Sequence, residues 1–369
     1  MTKKTIRYGL IGCGMMGREH IKNINLLPDT QISAILEPNA EMRDRAKPLA
    51  PDAVFPGSLA ELLALPDLDC LVIASPNHFH CDQLLEIERT RPLPLLVEKP
   101  LFTGEENLSA IRALAQTYPA HIWVGMEYRY MPPIAAFLKR AEAVTGGIKM
   151  LTIREHRFPF LSKVDNWNRF NLNTGGTFVE KCCHFFDLMR LTLGSEPVRV
   201  MASAGQDVNH LDEVHDGHIP DVLDNGYVIA DFANGARAML ELCMFAEGSK
   251  YQEELSATGP DGRIEAFVPG PTRFWPDDLG EPPLPMLRIS PRNPKRPVSE
   301  AIPVDPELLD AGDHNGSTFY QHRNFLALVR GETRAPEVSL EDGWRAVEFG
   351  IAAQHSAQTH QAVQIPLFS

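Results

Sequence analysis

Three side chains in this sequence have the types and spacing for removing a proton and a hydride from an alcohol. Lys99 stands in Glu98-Lys99-Pro100, and Glu180 and His184 stand in the run Gly175-Gly176-Thr177-Phe178-Val179-Glu180-Lys181-Cys182-Cys183-His184. A histidine with an ordinary pKa of ~6.5 suits the base that takes a hydroxyl proton at neutral pH. A lysine beside the same oxygen donates a hydrogen bond and stabilises developing negative charge. Glu180 and His184 are four apart, so on a helix they share a face, with Asp187 near it and Lys181 and Cys183 pointing elsewhere. Lys181 reads as a solvated helix residue. The hydride needs a carrier, and the N-terminus offers a seat for one.

That seat is Gly12-Cys13-Gly14-Met15-Met16-Gly17, a G-x-G-x-x-G run. An apolar strand (Ile6, Tyr8, Leu10, Ile11) precedes it, and a helical pattern with Met16, His20, Ile24 and Leu27 follows. Gly12 permits the tight turn, Gly14 lets the backbone approach a pyrophosphate, and Gly17 lets helix and strand lie close. Free N–H groups at the helix start then meet the phosphates. Glu37 ends a second apolar run, Ile32 to Leu36, where a carboxylate holds the adenosine ribose hydroxyls and repels a 2′-phosphate. NAD is therefore the expected cofactor.

The elements that must position these groups come in two styles. Up to Tyr128, short apolar runs (Cys70–Ala74, Leu95–Val97, Ile122–Met126) alternate with amphipathic stretches, the sign of a parallel sheet covered by helices. Ser58 with Glu61, and Thr103 with Glu106, read as capping boxes. Ligands of such sheets sit beyond the carboxyl ends of the strands, which gives weight to Asn77, His78, Lys99 and Glu127. After residue 128 a helix starts at Pro132-Pro133, Ile148–Arg154 reads as a strand, and Phe178–Leu193 as one helix. Asn234-Gly235 between apolar runs is a two-residue hairpin turn. Pro269 to Pro306 holds 11 prolines and cannot be a central strand or a long helix. An excursion, ordered or flexible, is expected over 269–308, then helices over Phe319–Val329 and Leu340–Gln358, the latter capped by Ser339 and Asp342. The expected architecture is an N-terminal Rossmann doubly wound parallel sheet over 1–128 and a C-terminal domain over 129–369. The second is an open, mostly antiparallel sheet with helices on one face.

Composition excludes several classes. With 369 residues, 44% hydrophobic and 22% charged, the chain has room for about two domains with sizeable cores. A net charge of −13 without a basic stripe argues against nucleic acid. No apolar run reaches about 18 residues, so no membrane span is expected, and the polar Met1–Thr5 start shows no signal peptide. The six cysteines form no C-x-x-C pair, which fits free thiols in a reducing cytoplasm. Cys182-Cys183-His184 lacks a second ligand cluster, and no metal is expected.

Together these motifs resemble the glucose–fructose oxidoreductase, inositol dehydrogenase and MocA-like (Gfo/Idh/MocA) family over nearly the whole chain. Ala74-Ser75-Pro76-Asn77 with His80 is similar to the family's A-T-P-N-x-x-H stretch, and Glu98-Lys99-Pro100 to its E-K-P. Tyr128-Arg129-Tyr130 with Pro132 resembles the lead into its second domain. Gly175-Gly176 through Glu180, His184 and Asp187 matches its G-G…D-x-x-x-H-x-x-D helix. The resemblance implies a catalytic lysine at Lys99, a catalytic histidine at His184 and an acid at Glu180, here one methylene longer than the usual aspartate; Cys182 stands where a small residue is usual. The cofactor set it implies is Gly12, Cys13, Gly14, Met15, Met16, Gly17, Glu37, Ser75, Pro76, Asn77, His80, Glu98 and Lys99. The substrate set is Lys99, Arg129, Trp167, Asn173, Glu180, His184 and His314.

The activity implied is hydride transfer between NAD and a secondary alcohol of a cyclic polyol: an inositol, a sugar or a glycoside. Reduction of another carbonyl or an imine, or a non-catalytic NAD-binding sensor, are the alternatives. Assembly as a homodimer or homotetramer is expected through the open sheet, where Ala238, Leu240, Leu242 and Met244 alternate with Met239, Glu241 and Cys243.

Overall fold

The structure, a computed structural model, describes residues 4–367. Its first sheet is built from apolar runs too short and too uniformly apolar for amphipathic helices. They are β1 (Ile6–Ile11), β2 (Thr30–Leu36), β3 (Cys70–Ile73), β4 (Leu95–Val97) and β5 (Ile122–Val124). Strands covered on both faces carry no polar alternation, and every residue of β3, β4 and β5 is buried. The order is β2-β1-β3-β4-β5, all parallel. The order reverses between β1 and β3, so the loops after these two strands lie side by side. Helix α1 (Met15–Asn25) follows β1 directly.

The second sheet has nine strands. In chain order they are β6 (Met150–His156), β7 (Pro197–Gly205), β8 (Asn225–Phe232), β9 (Arg237–Cys243), β10 (Glu253–Thr258), β11 (Gly262–Val268), β12 (Met286–Pro291), β13 (Val298–Ala301) and β14 (Val363–Gln364). The order is β13-β12-β11-β10-β6-β9-β8-β7-β14, antiparallel except for β6 against β9. Its strands alternate buried and exposed positions, as one-sided sheets do. Helix α2 (Pro132–Thr145) precedes the sheet, and the short α3 (Thr177–Glu180) and α4 (Cys183–Leu193) lie between β6 and β7. Helices α5 (Ser317–Val329) and α6 (Leu340–Thr359) follow β13 and precede β14. The core between helices and sheet joins Phe137, Phe186, Val228, Leu240 and Phe349, with Phe186 and Phe349 stacked at 4.2 Å.

Two sequence expectations need correction. Phe178–Leu193 is not one helix but α3 and α4, broken at Lys181-Cys182. Thr103 and Glu106 form no capping box: a 3-10 turn over Glu105–Asn107 leads into a helix from Leu108. The proline-rich stretch is ordered and adds β12 and β13 at the sheet's edge, where prolines break no ladder on the outer side. The helix-covered core is also shared across the halves. Phe325 and Leu326 of α5 and Ala346, Val347 and Ile351 of α6 belong to the core of the parallel sheet.

Candidate active site

The glycines of the first loop are each placed for a physical reason. Gly12 has φ +89°, and a Cβ there would lie 2.7 Å from the Ala74 carbonyl oxygen, which shows how tightly the β1 and β3 loops abut. A Cβ on Gly17 would lie 2.4 Å from the Gly12 oxygen. Gly14 differs, since nothing lies within 4 Å of its would-be Cβ. It is also the N-cap of α1, with no side chain capping the helix. The result is an open cradle edged by unsatisfied helix N–H groups, the arrangement that receives phosphate. Beside it the Nδ2 of buried Asn77 has no partner among the described residues. Glu37 follows β2, its carboxylate accepting from Cys13 N at 2.8 Å and from Asn39 N at 2.9 Å. Arg43 is turned to the carbonyls of Glu37 and Pro38 at 2.7 and 2.8 Å. These residues fit a dinucleotide: Gly14 and the start of α1 for the pyrophosphate, Glu37 for the ribose, Asn77 for the far end.

Three members of the expected cofactor set turn inward instead. Cys13 is fully buried, its amide is taken by Glu37, and burial with that carboxylate pushes its thiol up to about 12. His80 is buried with one ring nitrogen 2.8 Å from the Pro100 oxygen and the other 3.0 Å from the Ser75 oxygen, so it braces two loops. Glu98 faces the interior, 3.0 Å from His20, whose other nitrogen is 2.8 Å from His322. Ser75 donates to Gln83 at 2.6 Å, and Pro76 and Met16 are half-buried while Met15 is exposed at the cradle.

Lys99 follows β4, and its Nζ donates to the carbonyl oxygen of Glu180 at 2.9 Å. The break between α3 and α4 makes that bond possible. In a continuous helix the Glu180 carbonyl would serve the residue four ahead; here Phe185 and Phe186 bond back to Cys182 instead. The Glu180 carboxylate is 4% exposed: one oxygen lies 3.3 Å from Lys163, and the other has no partner among the described residues. Lys163, half-buried, sits over the Trp167 ring at 4.3 Å. Burial pushes its pKa down, opposed by Glu180 and reinforced by Lys99. His78 meets Trp167 edge-on at 6.1 Å, and Asn173 donates to the Trp167 carbonyl at 3.0 Å.

His184 is 3% exposed, and its Nδ1 has no partner among the described residues. Its ring stacks on Tyr128 at 4.0 Å and 5°. Burial, then Lys99, Lys181, His314 and Arg157, hold its pKa well below the ordinary histidine range. The imidazole is thus neutral at physiological pH and able to accept a proton. Buried, unpartnered oxygen and nitrogen atoms are costly unless a ligand completes them; Glu180 Oε2 and His184 Nδ1 are such atoms, on consecutive turns beside Lys99.

Two residues expected at the substrate do other work. Arg129 forms a two-pronged pair with fully buried Asp187, Nε to Oδ2 at 2.6 Å, and donates to the Glu337 carbonyl at 2.9 Å. Asp187 pulls the guanidinium because its carboxylate is fully buried and must find a cation. His314 bonds Glu19 at 2.8 Å, with Glu127 at 3.5 Å. Burial opposes its charge, yet the two carboxylates raise its pKa to about 10, so it is a cationic tie between the loop before α5 and α1. Thr318 donates to the same carboxylates at 2.9 and 2.5 Å, so these ligand-type groups satisfy one another.

The sequence reading also missed residues. Lys181 is not solvated: it is 5% exposed, 2.8 Å from Glu155, and donates to the Tyr128 hydroxyl at 2.5 Å. A signal existed, since the run Phe178–Phe186 is apolar but for Glu180, Lys181 and His184, and a helix apolar all round is a buried one. Lys163 was missed because its carboxylate partner Glu180 lies 17 residues on, and the role of Tyr128 because His184 and Lys181 reach it from more than 50 residues away.

A parallel sheet with a phosphate cradle and a lysine at the end of its fourth strand, joined to a second domain whose helices present a carboxylate and a neutral histidine, defines a pyridine-nucleotide oxidoreductase. Comparison with known proteins agrees. Residues 6–126 match the Gfo/Idh/MocA pattern described as "Oxidoreductase family, NAD-binding Rossmann fold", and residues 141–365 match its "C-terminal alpha/beta domain". The chain belongs to the Gfo/Idh/MocA oxidoreductase family, and its N-terminal domain is an NAD-binding one. It is 27% identical to an inositol 2-dehydrogenase of Rhizobium meliloti, over 71% of this chain and 76% of that one. It is 24% identical to a myo-inositol 2-dehydrogenase of Thermotoga maritima over 98% of both chains. An oxidoreductase domain protein from Kribbella flavida has the same fold, with TM-score 0.80 at 20% identity over 99% of this chain and 100% of that one. GenD2 from gentamicin A biosynthesis, solved with NAD, gives 0.77 at 19% identity over 99% and 97%. Among the described residues no helix is long and apolar enough to cross a membrane.

Proposed function

We propose that this protein is an NAD-dependent dehydrogenase acting on a secondary alcohol of a cyclic polyol, such as an inositol, a sugar or a glycoside. The observation that carries this is the neutral, buried His184 with its unpartnered Nδ1, close in the fold to Lys99 and to the free carboxylate oxygen of Glu180. Gly14, the start of α1, Glu37 and Asn77 hold the dinucleotide, and the bound nicotinamide supplies the hydride acceptor. His184 takes the hydroxyl proton. Lys99, already pointed at the catalytic turn, donates to the same oxygen and stabilises the charge that develops there. Glu180 accepts from a neighbouring hydroxyl through its free oxygen, while Lys163 holds the other. Trp167 lends its ring to the apolar face of the substrate. Glu37 favours NAD over NADP, and Arg43, engaged by carbonyls, offers a 2′-phosphate nothing.

The outer face of the second sheet supports assembly of two or four copies. Met201, Ile229 and Met239 lie in register across β7, β8 and β9, the first two about half exposed, with Tyr227 exposed beside them. Six unpaired cysteines, five of them buried, fit a cytoplasmic location. The test of function is a panel of inositols, aldoses and glycosides with NAD, followed at the NADH absorbance. Turnover of none of them, by a protein that binds NADH, refutes the polyol reading.

A further inference from the structure

Lys181 is a charged side chain with no part in the mechanism above, yet it is buried directly behind the catalytic histidine. Its ammonium donates to the Tyr128 phenol oxygen at 2.5 Å and lies 4.8 Å from the ring centroid, at the hydroxyl edge of the ring. The face of the same ring carries His184, stacked at 4.0 Å with the planes 5° apart. All three residues are at most 5% exposed. Behind the ammonium stand Glu155 of β6 at 2.8 Å and its cross-strand partner Glu253 of β10, both fully buried. Arg157, just after β6, lies 3.7 Å from Glu155. A cluster of this cost in desolvation needs a return beyond stability, since apolar residues would fill the same space as well.

We propose that Lys181 is a positioning residue for His184, acting through Tyr128: it fixes the phenol on which the imidazole lies and holds a positive charge at the phenol oxygen, which keeps the imidazole in its proton-accepting form. The inference rests on the reading of His184 as the base. The groups acting on the imidazole are Lys99 from the end of β4, Lys181 before α4, His314 before α5 and Arg157 after β6, all cationic or able to be so. Those acting on Lys181 are Arg157, Glu155, Glu253 and Lys99. Burial comes first for both residues and disfavours both charges. Glu155 and Glu253 oppose the downward push on the Lys181 pKa, and the Lys181 ammonium in turn disfavours a charge on His184.

The imidazole can be followed directly by NMR in protein labelled with ¹³C at the histidine Cε1 positions, taking the signal lost in His184→Asn as that of His184. Two variants separate the roles. Lys181→Met combined with Glu155→Gln removes the ammonium and its carboxylate together and leaves no lone buried charge. Tyr128→Phe keeps the stacked ring but frees the ammonium to turn toward Glu155 and Glu253. The ammonium is within about 9 Å of the imidazole through the stack, and at an effective dielectric of about 20 loss of its charge moves a titration by about one pH unit. With Glu155 also removed, about half a unit upward is expected, and Tyr128→Phe is expected to move it in the same direction. A His184 titration unchanged in every variant that folds overturns the proposal; if the double variant does not fold, Tyr128→Phe decides alone. Turnover by His184→Ala is read separately. If it stays near wild type, His184 is not the base, whatever the titrations show.

Discussion

Replacing Arg129 by leucine tests whether this arginine serves the fold or the substrate. Its guanidinium is 10% exposed and grips Asp187, whose side chain is fully buried, through two parallel bonds. Removing the cation strands a carboxylate in the core of α4. Breaking such a pair from one side costs about 3–5 kcal/mol. The entropy of unfolding is roughly 2.1 cal/mol/K per residue, so in a chain of this length each kcal/mol lowers the midpoint by about 1–2 °C. A fall of about 5 °C is therefore expected for Arg129→Leu, measured by circular dichroism or intrinsic fluorescence on heating. Arg129→Leu with Asp187→Leu removes both charges and is expected to recover most of the loss. KM for the polyol is expected to change less than turnover-neutral scatter, about twofold. An Arg129→Leu protein that melts with the wild type while its KM rises tenfold refutes the pairing and puts the guanidinium on the substrate.

Four further outcomes are expected. His184→Ala loses about 10²–10⁴-fold in kcat, Lys99→Ala a comparable amount with NADH binding retained, and Glu180→Ala acts mainly on KM; steady-state kinetics with fluorescence titration of NADH reads all three. Gly14→Val leaves the melting temperature nearly unchanged and abolishes NADH binding, because its side chain enters the open cradle, whereas Gly17→Ala lowers the melting temperature through its clash with the Gly12 oxygen. His314 gains its proton partners on folding and its pKa rises from 6.5 to about 10, so its contribution is full below pH 6.5 and fades as pH climbs toward 10. His314→Asn should therefore lower the melting temperature more at pH 6 than at pH 10, and an equal loss at both contradicts the pairing with Glu19. Light scattering at micromolar concentration is expected to give at least a dimer, and Ile229→Lys on the open sheet face to give a monomer; a wild-type monomer rejects the assembly.

The parts of this structure legible in the sequence are those set by local chemistry. G-x-G-x-x-G is readable because its six residues carry the whole strand-to-helix turn, with Gly17 packed on the Gly12 oxygen and Gly14 left open at the helix start, and the apolar runs of β1 to β5 mark strands buried on both faces. Lys99, Glu180 and His184 were legible as types and spacings. What was not legible depends on competition between distant groups. The break between α3 and α4 arises where Lys99, from the other sheet, takes the Glu180 carbonyl. Arg129 looked available for a substrate until Asp187, 58 residues on, claimed it. Lys181 looked solvated because Glu155 and Tyr128 reach it only when β6 and the end of the first domain are assembled. The proline-rich stretch hid β12 and β13, since prolines are tolerated at a sheet's edge and periodicity there is weak.

The packing of α5 into the first core has a consequence for synthesis. Phe325 lies 6.3 Å from Tyr8 and 6.4 Å from Trp123, edge to face, and His322 completes a chain with His20. Val124 of the last parallel strand donates to the Val338 carbonyl at 3.1 Å. The parallel sheet leaves the ribosome first, yet the side chains that seal it are translated close to the end. A nascent chain carrying only the nucleotide-binding half exposes the apolar ground meant for Phe325, Val347 and Ile351. The core of that half is therefore closed only by the C-terminal helices, even though the phosphate cradle is encoded within the first seventeen residues.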